Sequence, residues 1–401
     1  MKLSSALKTA TASNWSELQR ELLELILKRL QFADIIRFEA VCSSWNKAAI
    51  SYVSSPLYTG LPQVPWLMIE SDRMGEYNHC RFLNLAENAK NGGTVYKLKN
   101  AFKAIARKHF LEVVGSSYGW VAVLYFFKKP ILVNPFSGAH IRIDTKYGTY
   151  SSKKRFRKIV LSSDPSVNYM DFSLAVLCEP LDDVAFYKHK DKQWTRPCHS
   201  CYFDITCHNG RMYGLSKIYN VEVWDFHSYL PTKVVKVADL EWVTIKAIKA
   251  MTKRNPLPNS VKLTGITWKY YLVESLGELL IVNRFYRRSA SLLDTKTTIG
   301  FIICKVDLET ELGLVTLENL PDRAVLVGDK EATSVSTRDC PELQENCVYF
   351  KDESLGIYSL KDDKISTIGN LKDKLHKRFA YWIVPNPRVV QNLNSQSGEE
   401  Q

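Results

Sequence analysis

The chain has 401 residues, 45% of them hydrophobic, and carries 54 Lys and Arg against 42 Asp and Glu, a formal net charge of +12. That length and hydrophobicity support a sizeable core in more than one unit, and the longest apolar run, Trp120 to Phe127, is far short of the ~20 residues a membrane helix needs. The nine cysteines are odd in number and irregularly spaced, which excludes a secreted disulfide framework and places the chain in a reducing compartment, cytoplasm or nucleus.

In chain order, residues 1–14 are small and polar and read as a disordered leader. Residues 15–55 form a helical module. Leu22, Leu23, Ile26, Leu27 and Leu30 recur at three- and four-residue spacing, one apolar helix face, with Ser16 and Gln19 in capping-box spacing before it. Gln31-Phe32-Ala33 breaks the pattern. Asp34 can cap a second helix carrying Ile35, Ile36, Phe38 and Val41, and Ser43 or Ser44 a third carrying Trp45, Ala48, Ala49 and Tyr52. Three short helices cannot bury all of that apolar surface alone. The remainder faces either a partner protein or the domain that follows.

The residues Trp15-Ser16-Glu17-Leu18-Gln19-Arg20-Glu21-Leu22-Leu23, Ile26-Leu27, Arg29-Leu30, Asp34 and Val41-Cys42-Ser43-Ser44-Trp45 resemble the F-box. The resemblance implies docking onto a Skp-family adaptor, and through it a cullin scaffold. By position the docking residues would be Leu18, Gln19, Leu22, Ile26, Leu30, Val41, Cys42 and Trp45. The family usually has proline where Gln19 stands. Proline fixes φ and starts the helix sharply, so a weaker adaptor interface is expected here.

After a linker at 56–64 the pattern turns to short β-branched and aromatic runs separated by turn residues. Examples are Ile131-Leu132-Val133, Leu174-Ala175-Val176-Leu177 and Val184-Ala185-Phe186-Tyr187. One short helix is possible at Trp242 to Met251. Hairpins recur: Asn209-Gly210 before Val221 to Asp225, Trp268 to Val273 before Leu279 to Val282, and Asn346 to Phe350 before Gly356 to Leu360. Blade-sized units over residues 65–385 predict a six- or seven-bladed propeller, with a pair of β-sandwiches as the rival. Gly115 to Trp120, Asn134 to Gly138, Trp194-Thr195 and Asp204 to Tyr213 are similar to the F-box-associated, kelch-like domain (DUF295 type) of a large plant family. That class names no substrate. The predicted fold is therefore α+β and multidomain: a three-helix F-box, then a mostly antiparallel β domain, with a disordered tail at 386–401.

Candidate chemistry is sparse. Gly115-Ser116-Ser117-Tyr118-Gly119 fits a hydrolase elbow, but strand-forming residues follow where a helix is needed, so a turn into a strand is expected. Cys198, Cys201, Cys207 and His208 have the residue types of a zinc site. The run from Cys201 to Cys207 alternates like a strand, which would hold those two sulfurs ~20 Å apart. No metal, cofactor or catalytic residue is expected. Asp182-Asp183 and Asp362 to Lys364 read as hairpin turns. The densest basic run, Lys153 to Lys158, reads as a solvated loop, with a nuclear-import or phosphate-contacting role as its alternative. The expected function is a non-catalytic substrate receptor of an SCF-type ubiquitin ligase, its β domain recruiting a protein target. The alternative is a basic propeller binding RNA or anionic lipid outside a ligase, although nucleic acid is not the expected partner because the positive charge is dispersed.

Overall fold

A computed structural model describes residues 15–55, 58, 63–69, 79–87, 92–99, 101–102, 111–125, 129–144, 155–197, 200–226, 228–254, 266–288, 296–308, 313–352, 354–368 and 380–388. The leader, Lys153, Lys154, Cys198 and the tail beyond 388 lie outside these.

A 3-10 turn at Trp15–Glu17 leads into helices α1 (Arg20–Leu27), α2 (Phe32–Glu39) and α3 (Ser43–Val53). Leu23 and Leu27 of α1, Ile35 and Phe38 of α2, and Ala48, Ala49, Tyr52 and Val53 of α3 close a core together with Tyr58 of the linker. The expected caps are corrected. Gln19, Gln31 and Cys42 hold the three N-cap positions, and none makes a side-chain capping bond. Ser16 falls in the preceding turn, and Asp34 lies inside α2, paired with Arg37 at 2.7 Å. The Phe32 N–H instead donates to Gln63 Oε1 of the linker at 2.9 Å. Phe32 and Ala33 are therefore the buried start of α2, where the sequence pattern showed only a break.

The β domain is a six-bladed propeller. The first blade has β1 (Trp66–Ile69), β2 (His79–Asn84) and β3 (Thr94–Lys99). The second has β4 (Leu111–Ser117), β5 (Trp120–Tyr125), β6 (Lys129–Val133) and β7 (His140–Arg142). The third has β8 (Arg155–Leu161), β9 (Ser173–Glu179), β10 (Asp183–Lys188) and β11 (Gln193–Thr195). The fourth has β12 (Tyr202–His208), β13 (Arg211–Ser216), β14 (Asn220–Trp224) and β15 (Lys233–Lys236), and is followed by helix α4 (Asp239–Arg254). The fifth has β16 (Ile266–Ser275), β17 (Glu278–Arg288), β18 (Lys296–Val306) and β19 (Leu314–Leu317). The sixth has β20 (Arg323–Val327), β21 (Ala332–Ser336), β22 (Cys347–Lys351), β23 (Leu355–Ser359) and β24 (Lys364–Thr367).

The last strand, β25 (Ala380–Ile383), returns to pair antiparallel with β1, Trp66 opposite Ile383 and Ile69 opposite Ala380, and closes the ring. The sixth blade departs from a simple meander. Its β20–β21 hairpin folds toward the axis, and β22 then runs parallel to β20 on the other side.

The core is divided among the six seams between blades. Trp66 and Met68 of β1 pack into the seam with the second blade, while Leu67 and Ile69 pack into the seam with the sixth. In β9, Leu174, Val176 and Cys178 face the second blade, and Ala175 and Leu177 face the fourth. A strand buried on both faces reads as a continuous apolar run rather than an alternating one. Each fully buried large side chain contributes about 2 kcal/mol of transfer free energy.

Candidate functional site

The helical module presents two faces. The first joins the propeller: Phe32 stacks edge-on against Trp66 and Phe136, with ring centroids at 5.3 and 4.7 Å. Arg37 of α2 donates to Glu87 and Tyr96 of the first blade. The second face is unpartnered. Leu22 is 45% exposed, Ile26 36% and Val41 57%, and Leu25 and Ile50 are exposed as well.

The eight residues expected to dock an adaptor divide accordingly. Leu22, Ile26 and Val41 lie open to solvent. Leu18, Leu30 and Trp45 are half-buried against the module's own core. Trp45 stacks on Phe38 at 4.3 Å and donates its indole N–H to the Trp15 carbonyl at 2.9 Å. Cys42 is the half-buried N-cap of α3. Gln19 is exposed, and its backbone φ of −60° is the value a proline ring would impose. Its carbonyl accepts the Leu22 and Leu23 N–H groups at 3.1 and 3.2 Å. Thus α1 starts at the place and in the conformation that proline would have set. A groove of about 220 Å³ opens beside Leu18, between the start of α1 and Ser44 and Lys47 of α3. The exposure of Leu25 and Ile50 is not legible in the sequence, because its pattern does not tell an exposed aliphatic residue from a buried one on so short a helix.

In the propeller, β4, β8, β12, β16, β21 and β25 stand innermost and line the axis. A cavity of about 730 Å³ opens where these strands end and reaches inward to Lys158 and Glu331. Lys158 Nζ donates to Asp204 Oδ1 at 2.7 Å, both groups being buried, and Asp204 Oδ2 accepts the Leu272 N–H at 2.9 Å. One carboxylate thus ties three blades. Glu331 Oε1 accepts the Trp382 N–H at 2.8 Å, while Oε2 is buried without a partner. Burial pushes the Glu331 carboxyl up to about 7, against the opposing effects of the Trp382 N–H, Lys158 and Lys269. Toward the other end of the axis, Glu112 accepts from Lys330 at 2.8 Å and from Arg155 at 2.6 Å, bracing the second, third and sixth blades. Burial raises the Glu112 carboxyl, but these two hydrogen bonds outweigh it and hold the group below the usual range.

The expectation of a solvated basic loop is corrected by this arrangement. Arg155, Arg157 and Lys158 belong to β8, and each engages a carboxylate: Glu112, Asp182 and Asp204. The Gly115 to Gly119 segment is a strand and hairpin turn. A Cβ at Gly115 would lie 2.1 Å from the Ile159 carbonyl of the neighbouring blade, and Tyr118 and Gly119 turn with φ of 53° and 80°. Ser117 Oγ accepts the Leu161 N–H at 3.4 Å. Cys201 precedes β12 and Cys207 lies near its far end, on the strand that their alternation predicted. Among the described residues no three His, Cys, Asp or Glu side chains come together to hold a metal.

Comparison with known proteins agrees with this architecture. The F-box domain profile matches residues 15–52, and the KIB1-4 beta-propeller profile matches residues 83–367. The Arabidopsis thaliana F-box protein At4g17565 is 24% identical and spans 84% of this chain and 83% of its own. The F-box protein SKIP23, also of Arabidopsis thaliana, is 21% identical over 96% of this chain and 99% of its own. With one profile over the helical module and the other over most of the ring, the chain belongs to the F-box proteins that carry a KIB1-4 beta-propeller.

Proposed function

We propose that this protein is a substrate-receptor subunit of an SCF-type ubiquitin ligase, working in the cytoplasm or nucleus. The open apolar face of Leu22, Ile26 and Val41 docks a Skp-family adaptor and, through it, a cullin. The propeller holds a protein target beside the ubiquitin-charging machinery, raising its effective concentration there rather than performing chemistry itself. The observation that carries this reading is the division of the helical module into two faces. Phe32 and Ala33 anchor it to the propeller, yet large aliphatic side chains remain exposed on the other side. Such a patch on an otherwise packed module is what a helix-to-helix interface requires.

The test is capture of the full chain by purified Skp adaptor and cullin, beside a Leu22→Asp, Ile26→Asp double variant. Burying two carboxylates in an apolar interface should reduce capture at least ~100-fold. Equal capture of both chains would place the adaptor contact elsewhere, and no capture of either would remove the ligase reading. Binding to RNA or anionic lipid finds less support. The three described cations at the end of the basic run are engaged with carboxylates of the chain itself.

A further inference from the structure

We propose that the axial cavity of the propeller is the recognition site for an arginine or lysine side chain of the target protein, with Glu331 as its counter-charge. The assignment rests on the receptor reading above and names the chemistry of what the receptor would hold.

The chain as a whole is basic, at +12, but the cavity is not. Among the described residues lining it, Asp164, Asp171, Glu274 and Glu331 are carboxylates, and the one lysine is Lys158. That lysine is already neutralised by Asp204 at 2.7 Å. A cavity whose negative charge opposes the sign of the molecule draws cations into itself while the outer surface repels them. The surplus of acid alone would describe any solvated rim. Glu331 is different. It is 6% exposed, lines the cavity, and keeps Oε2 without a hydrogen-bond partner although Oε1 is used by the Trp382 N–H. A buried carboxylate oxygen without a partner is costly, and a guanidinium or ammonium group would satisfy both its charge and its hydrogen-bonding capacity. The backbone leaves space for this carboxylate: a Cβ at Gly328 would lie 1.9 Å from Glu331 Oε1.

The surroundings favour a side chain carried on a polypeptide over a free small cation. At the far end, Glu112 with Lys330 and Arg155 braces the axis, so the entrance lies where the inner strands end. The turns and loops on that side carry exposed apolar residues: Tyr118 at 42%, Val167 at 66%, Met170 at 51% and Leu276 at 61%. An acidic hole within an apolar rim suits one deep cationic anchor flanked by chain that lies across the rim. A free polyamine would use the hole and leave the rim uncovered.

The test uses the full chain and a fluorescein-labelled peptide, Leu-Gly-Arg-Gly-Leu, compared with the same peptide carrying neutral citrulline in place of arginine. Anisotropy titration at pH 8, above the value of about 7 at which the Glu331 carboxyl releases its proton, should show the arginine peptide binding at least ~10-fold more tightly. In a Glu331→Gln chain the two peptides should become equal. Equal affinity of the two peptides for the unaltered chain overturns the proposal, as does absence of binding by either at millimolar concentration. Preference that survives intact in Glu331→Gln assigns recognition to the rim and overturns the role of Glu331. If Glu331→Gln does not fold, a benzophenone beside the arginine locates the peptide on the unaltered chain. Crosslinks to the β8 and β21 segments are expected, and crosslinks only elsewhere overturn the site. Spermidine binding more tightly than the peptide would overturn the polypeptide assignment. Adaptor capture is measured separately on the same preparation. Capture without arginine preference removes this inference alone, and preference without capture removes the ligase reading while leaving the site.

Discussion

Glu331 shows how one residue can set a pH dependence for the whole molecule. Its carboxyl keeps its proton up to about 7 in the folded chain, whereas an exposed glutamate releases it near 4.5. Folding therefore takes up a proton between those two values. The stability linked to this group is fully present below pH 4.5, declines as pH rises, and is lost above about 7. The decline amounts to about 3 kcal/mol at most. Glutamine keeps the shape and can still accept the Trp382 N–H, but does not titrate. A Glu331→Gln chain should therefore gain thermal stability relative to the unaltered one at pH 8 and show little difference at pH 4.5. Melting temperatures of the two chains across that range give the answer. Parallel curves would mean that the Glu331 carboxyl releases its proton over the same pH range in the folded and unfolded chains.

At the scale of elements, the parts legible in the sequence are those whose cause is local. Asn209-Gly210 turns with φ of 48° and 69°, as its residue types predict, and joins β12 to β13. The continuous apolar run Leu174 to Leu177 is the strand it resembles, because both faces of β9 meet a neighbouring blade. Other features have distant causes. The inward β20–β21 hairpin depends on where the ring closes. The pairing of Lys158 with Asp204 joins two blades, so the basic run could not be told from a solvated loop. Helix α4 is longer than the Trp242 to Met251 stretch that suggested it, because Leu240 docks in the seam between the fourth and fifth blades. The start of α2 was hidden for the same reason, since Gln63 receives its first N–H from across the linker. That start is also the joint between module and ring. Phe32 sits between Trp66 and Phe136, and its truncation to alanine would leave a cavity costing about 3–5 kcal/mol. Calorimetry of Phe32→Ala should then resolve the helical module as a separate transition below that of the propeller. A single transition at the unaltered temperature would show that Arg37 and its partners suffice to hold the joint.

The whole molecule is held by its two ends meeting. Strand β25 supplies the innermost position of the first blade, and Tyr381, Trp382 and Ile383 are all buried there. Beyond it, Asn386 donates to the Tyr118 carbonyl and to Asp164 at the cavity rim, each at 2.8 Å. Arg388 then reaches the Tyr58 carbonyl in the core of the helical module. The start of the segment read as a disordered tail is thus a strap from the axial cavity to the helical module. Ring closure and strap should separate in experiment. Burial of Tyr381, Trp382 and Ile383 contributes on the order of 6 kcal/mol, comparable with the net stability of a typical domain. Without β25 the edge of β1 is unpaired and the seams with the second and sixth blades are open. A chain ending before Ala380 should therefore lose its cooperative melt and become sensitive to limited proteolysis throughout the ring. An Asn386→Ala, Arg388→Ala chain should keep the cooperative melt of the ring, because β25 still closes it, while hydrogen exchange quickens around Tyr58 and Asp164. If the truncated chain instead melts as sharply as the full one, the ring is held by its seams alone and the closing strand is dispensable.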